Sequence, residues 1–208
     1  MTQRHLQSWL ESHAHLQPSI LLGASDLPGG ERSVFAHSPT QEVRVAAGDL
    51  DALNGALEST RSGRGGWIGY LSYEYGLPFV FEPQLADGFR SWPAGLLRYY
   101  PNLDWVNSHE IVRPDQRPRP ALNLIATLSD EEHAQRIEAL LERAVAGDVY
   151  EANLTRYFVA EPCDPLALFL NLAQHAPAPY AAYLPTDFGH LVCNSPEGFL
   201  RLDDQGRV

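Results

Sequence analysis

The densest mixture of ionisable, amide and aromatic side chains in this 208-residue chain is AGDVYEANLTRYF, residues 146–158. Glu151 stands beside Tyr150, and Glu74 stands between Tyr73 and Tyr75. A carboxylate buried among such rings is pushed up in pKa and can act as a general acid or base. The ordinary alternative is a strand-end carboxylate that is solvated or bonded to backbone amides, and the residue types leave both open. His13 and His15 suggest a metal pair, but side chains two apart on a helix diverge, and no third ligand is near in sequence. Cys163 and Cys193 match no zinc spacing, and the glycine pairs in GGERSVFAH and GRGGWIG do not match a dinucleotide fingerprint.

Charge removes several classes of chemistry. All 15 basic residues are arginine, set against 26 acids, for a net charge of −11. Without lysine there is no Schiff base, no amine nucleophile and no phosphate-loop lysine. An acidic chain with no basic run lacks the positive footprint that nucleic acid or an anionic membrane requires. The first residues have no signal-peptide pattern, and no apolar run approaches the ~18 residues of a membrane span. A soluble, cytoplasmic protein is expected, and Asn153-Leu154-Thr155 is then no glycosylation site.

The elements that must position these residues follow from periodicity. Leu6, Trp9, Leu10 and Leu16 predict an amphipathic helix ended by Pro18, and SILLGAS a buried strand. The turn DLPGGERS leads to SVFAHS and QEVRVAAG, expected as further strands of a β-meander. Leu50, Leu53 and Leu57 predict a helix, and GGWIGYLSYEYG a strand running into a tight bend. Two strands joined at PNLD are expected over residues 94–113. RPDQRPRP, with three prolines, marks the weakest seam, and ALNLIATL is expected to be a strand. Ser129 and Glu132 form a capping box for a helix striped by Ile137, Leu140, Leu141, Ala144 and Val145, which Gly147 ends. VYEANLTRYFV reads as a strand and DPLALFLNLAQHAP as a helix. APYAAYLP, GHLVCNSP and GFLRLDD are three more candidate strands. Helices and strands do not alternate regularly, which favours α+β over a doubly wound fold.

AGDVYEANLTRYF also resembles the GD(I/V/C)YQVNL segment of the chorismate-utilising enzymes of the anthranilate synthase component I-like family, most closely the aminodeoxychorismate synthase (para-aminobenzoate synthase) component I branch. LLGAS, GGWIGYLSYEYG, APAPYAAYL and NSPEGFLRL follow in the family's order across nearly the whole chain. Asn153-Leu154 resembles the aminodeoxychorismate branch, and LLGAS departs from the LLES of the tryptophan-regulated anthranilate synthases. Two positions depart from the family: Glu151 stands where glutamine is usual, and Gly198 follows SPE where arginine, methionine or leucine is usual.

The resemblance implies an α+β fold, a β-rich two-layer sandwich with flanking helices, of which this chain is an incomplete half. It implies an N-terminal domain over 1–125 and the start of a chorismate-binding domain over 126–208. In the family a Pro-Ile-Lys-Gly-Thr segment and Mg²⁺-holding glutamates follow the SPE strand. No catalytic residue, Mg²⁺ ligand or other metal ligand is therefore expected here, and the chain alone should be inert. A glutamine amidotransferase subunit and the C-terminal half of the same polypeptide are the implied partners. An aromatic amino acid pocket is implied at Ser25, Arg32, Pro179 and Tyr180. A stand-alone amino acid-binding regulatory module and an anthranilate synthase component I remain the alternatives.

Overall fold

The computed structural model describes residues 4–24, 26–60, 65–79, 92–113 and 122–201. The chain divides into two compact units, one of residues 1–118 with 165–208 and one of residues 119–164.

The larger unit is a β-sandwich with helices on one outer face. Helix α1 (Leu6–His13) buries Leu6 and Leu10, and a 3₁₀ turn over Ala14–Leu16 completes the segment expected to be helical. Strands β2 (Ser19–Leu22) and β3 (Arg32–Ala36) are antiparallel neighbours, with Leu21 opposite Val34. The expected meander ends there: β4 (Gln41–Val45) pairs with β6 (Gly95–Tyr100), not with β3. On the far side of β6 lies β5 (Gly66–Leu71), so these strands form a sheet of order β4-β6-β5. Helix α2 (Leu50–Ser59), N-capped by Asp49, and the short helix α3 (Tyr73–Gly76) flank that sheet's strands in sequence.

The PNLD turn separates two strands that join different sheets. β6 belongs to the three-stranded sheet, whereas β7 (Asp104–Asn107) pairs with β3. Helix α5 (Pro165–His175) leads into the hairpin β11 (Tyr180–Thr186) and β12 (Gly189–Ser195), and β11 pairs with β2. The second sheet has the order β12-β11-β2-β3-β7. A parallel contact between β1 (Arg4–His5) and β8 (Ile111–Val112), which hydrophobic patterning does not suggest, joins the segment ahead of α1 to the one after β7.

Side-chain alternation sorts the core into two layers. Ile20, Leu22, Phe35, Ala181 and Tyr183 face α1 and α5, joining Leu6, Leu10, Phe169 and Leu170 in one cluster. Val34 and Ala36 face the other way and meet Ile68 and Tyr100 between the sheets. The α+β class is the one that patterning predicted. The sheets are also joined by polar contacts. Arg98, only 2% exposed, donates through Nε to Glu42 on β4 at 2.9 Å and through Nη1 to the Pro185 carbonyl on β11. The Tyr100 hydroxyl shares a 2.5 Å hydrogen bond with Ser19 on β2 and donates to the Gln17 carbonyl at 3.2 Å. Burial, foremost, pushes the Tyr100 phenol up.

The smaller unit is built on α4 (Asp130–Ala146) with the two-stranded pair β9 (Ile125–Ala126) and β10 (Phe158–Val159). The capping box forms as expected: Ser129 Oγ accepts from Glu132 N, and Ser129 N donates to Glu132 Oε2. Hydrogen bonds from Ser129 hold the Glu132 carboxyl below its ordinary pKa. Gly147, at φ 81°, terminates the helix in the left-handed conformation. The stripe of α4, however, is not covered. None of its residues is buried, and Val145 is 90% exposed. The long strand expected over VYEANLTRYFV shrinks to Phe158–Val159, and ALNLIATL to Ile125–Ala126, because each finds a partner over two residues only. Residues 199–201, from the expected GFLRLDD strand, are not in a strand.

Arg98 makes a sharp prediction. Arg98→Met leaves the Pro185 carbonyl without its donor and the Glu42 carboxylate with Arg44 alone, and should cost about 2 kcal/mol. Tyr100→Phe should cost about 1 kcal/mol. Urea unfolding followed by tryptophan fluorescence measures both, and equal midpoints for Arg98→Met and the parent would refute the role.

Candidate functional site

The three-stranded sheet covers only one end of the second face of the five-stranded sheet. The inter-sheet contacts lie at Ser19, Val34, Ala36 and Pro185. Beside these contacts the register sets a transverse row of Ala182, Leu21, Val34 and Trp105, in which Val34 is buried between the sheets while Leu21 and Trp105 are exposed. Tyr180 and Arg32 lie two residues further along β11 and β3, so they share this face. With one strand between them, their backbones are roughly 10 Å apart.

Two glycines hold Tyr180 in place. A Cβ at Gly29, which sits at φ 81°, would lie 2.2 Å from the Tyr180 hydroxyl, and one at Gly198 would lie 2.8 Å from its ring. The ring is thus clasped between the turn after β2 and the loop after β12, yet Tyr180 stays 42% exposed. This explains the departure at position 198: a large residue after SPE would occupy the space of the Tyr180 ring. Arg32 lays its guanidinium over the Trp105 ring, 4.8 Å from the centroid. Stacking uses the flat face of the guanidinium and leaves its N–H groups pointing outward in the plane. The result is an open, aromatic-walled surface with an apolar floor at Leu21 and a cation at one side. Such a surface can take an aromatic or aliphatic body carrying a carboxylate.

Of the four residues expected to form a pocket, the structure brings Arg32 and Tyr180 to one face. Pro179 is buried just ahead of β11, and Ser25 lies outside the described residues. Leu21, Trp105, Gly29 and Gly198 were not anticipated. Strict alternation along β2 and β7 carried a signal for the first two; the glycine clasp depends on loops that meet only in the folded chain.

Glu151, Asn153 and Tyr150 are exposed in the smaller unit, and Glu74 is half-buried in α3. His13 stacks on Trp9 at 4.3 Å and approaches His37 at 4.8 Å rather than His15. Among the described residues, no group of three or more His, Cys, Asp or Glu is placed to hold a metal ion. Among them, too, no helix is long and apolar enough to cross a membrane.

Residues 8–208 match the family described as chorismate binding enzyme. The chain is 25% identical over 166 residues to aminodeoxychorismate synthase component 1 of Escherichia coli K12, covering 68% of this chain and 36% of that protein. It is 29% identical over 84 residues to the component 1 of Bacillus subtilis 168, covering 40% of this chain and 18% of that protein. An anthranilate synthase component I-like protein of Synechocystis is 25% identical over 165 residues, covering 67% of this chain and 34% of that protein. The chain therefore spans at most 36% of the length of these three relatives.

The clasp generates a test. Gly198→Leu should displace Tyr180 and lower stability by about 2 kcal/mol. Gly76→Ala is the control, since a Cβ there meets nothing within 4 Å. Thermal melts of both variants, with an unchanged Gly198→Leu, would show that the clasp is not tight.

Proposed function

This chain belongs to the chorismate binding enzymes, and on that membership we propose that it is the N-terminal portion of an aminodeoxychorismate synthase component I. The whole enzyme would aminate chorismate to 4-amino-4-deoxychorismate, toward para-aminobenzoate and folate, in the cytoplasm. The single observation that carries this reading is the family match over residues 8–208, together with relatives named as aminodeoxychorismate synthases.

Physical requirements support a division of labour. Chorismate is a dianion, and replacing its 4-hydroxyl with ammonia needs cationic partners for two carboxylates, an acid at the leaving hydroxyl and a water-free pocket. The face at Tyr180 and Arg32 is open, and the carboxylates of the smaller unit are exposed. Mg²⁺, when bound, would supply a bridge to a substrate carboxylate. The described residues do not fit an Mg²⁺ site, so the ion and the chemistry are assigned to the remainder of the enzyme. The uncovered stripe of α4 supports the same reading, because an amphipathic helix gains its stability by burying that stripe. Ammonia would come from a glutamine amidotransferase subunit.

For this chain we propose a regulatory role. Arg32 would accept the carboxylate of an aromatic amino acid, Tyr180 and Trp105 would wall its ring, and Leu21 would floor it. The match to the Synechocystis protein favours one second reading, an anthranilate synthase component I.

Two experiments test these proposals. With chorismate, Mg²⁺ and ammonia, the chain alone should give no product, while the enzyme extended through the remaining family length should give aminodeoxychorismate. Anthranilate as product would select the second reading, and turnover by the chain alone would overturn the division of labour. Isothermal titration of tryptophan should saturate below millimolar, with Arg32→Ala weakening it about tenfold. No heat at millimolar ligand would remove the pocket.

A further inference from the structure

On the opposite face of the five-stranded sheet, beside the helices, a cavity of about 310 Å³ opens around Arg113. Arg113 follows β8 and donates through Nη1 to the Ala173 carbonyl near the end of α5, and through Nη2 to the Gly23 carbonyl after β2, both at 2.7 Å. Both acceptors are neutral. Among the described residues no carboxylate lies within ion-pair distance of this guanidinium; Asp26 lines the same cavity without reaching it. Two of its five N–H groups make these bonds, so the cation retains donors beyond them. Among the described residues this half-buried charge has only carbonyls as direct partners, and burial depresses the Arg113 pKa, with Asp26 opposing the shift from a distance.

The walls restrict what could complete it. Ile111, Ala173 and Pro177 give an apolar side, while Asp26 and His109 lie on the polar side. Asp26 would repel a second negative charge. A volume near 310 Å³ is at the small end of ligand sites. We propose that this cavity binds a small monocarboxylate. Its carboxylate meets the Arg113 guanidinium in a fork, and its apolar body lies against Ile111, Ala173 and Pro177. The site does not depend on the Tyr180 face: Ile111 and Ala173 belong to the helix-side core, whereas Tyr180 and Leu21 point the other way.

Benzoate serves as the probe, titrated into the ¹⁵N-labelled full chain. Saturable shifts are expected around residues 109–113 and 173–177, with little change at Arg32 or Tyr180. Asp26→Asn, which removes the opposing charge, should tighten binding about fivefold. Arg113→Lys keeps the charge but loses the fork and should weaken it about tenfold; if Arg113→Lys fails to fold, the sign of the Asp26→Asn effect still decides. Tyr180→Ala should leave benzoate binding unchanged. The proposal is overturned by no saturation at about 10 mM benzoate, by shifts centred on Tyr180, by an unchanged affinity in Asp26→Asn, or by inorganic phosphate competing as well as benzoate does.

Discussion

The sandwich depends on one buried cation. Arg98 lies between Leu96 and Tyr100 on the inward face of β6, in a slot where an uncompensated charge would cost several kcal/mol. Its compensation comes from both sheets at once. Glu42 is its direct cross-strand neighbour on β4, and the Pro185 carbonyl belongs to β11 of the facing sheet. The charge is therefore satisfied in one packing arrangement, and the adjacent Tyr100–Ser19 bond specifies the same arrangement two residues along. At the corner of this contact, Arg44 bridges Glu42 and Asp187 and lies over Phe188, extending the polar seam to the exposed edge.

Because these contacts gather at one end of the sheets, the rest of that face of the five-stranded sheet has no facing layer among the described residues. Leu21, Trp105, Arg32 and Tyr180 are exposed there for that reason, not because their strands are irregular. The same strands bury their alternate residues under α1 and α5. One sheet thus presents an open aromatic surface on one face and, through Arg113 and the end of α5, a small charged cavity on the other. Loop backbone sharpens the first: the space that would have held side chains at Gly29 and Gly198 holds the Tyr180 ring.

The smaller unit shows how far local signals go. Capping and termination of α4 are set by side chains within a few residues, and Asp130 is further joined to Arg156 at 2.6 Å. The helix forms as its sequence dictates. Its apolar stripe is equally legible, but a stripe states only that something must cover it. For AGDVYEANLTRYF the same distinction holds. Of the residues that read as a strand, only Phe158 and Val159 enter a ladder, with Tyr157 bonded to Thr127 just ahead of it, because strand propensity is fulfilled only where a neighbouring backbone accepts the ladder.

The amino-acid sequence by itself determined the helices, their caps, most strands, the α+β class and the family, since each rests on short-range periodicity or on motifs in a fixed order. Tertiary structure alone decided that β4 leaves β3 for another sheet and that the PNLD turn divides two strands between layers. It alone placed Arg98 where both sheets must satisfy it, and set Tyr180 between two glycines 169 positions apart in the chain. The reason is physical. Period and capping are interactions among near neighbours, whereas strand partners, buried charges and close backbone approach are settled by which distant segments meet.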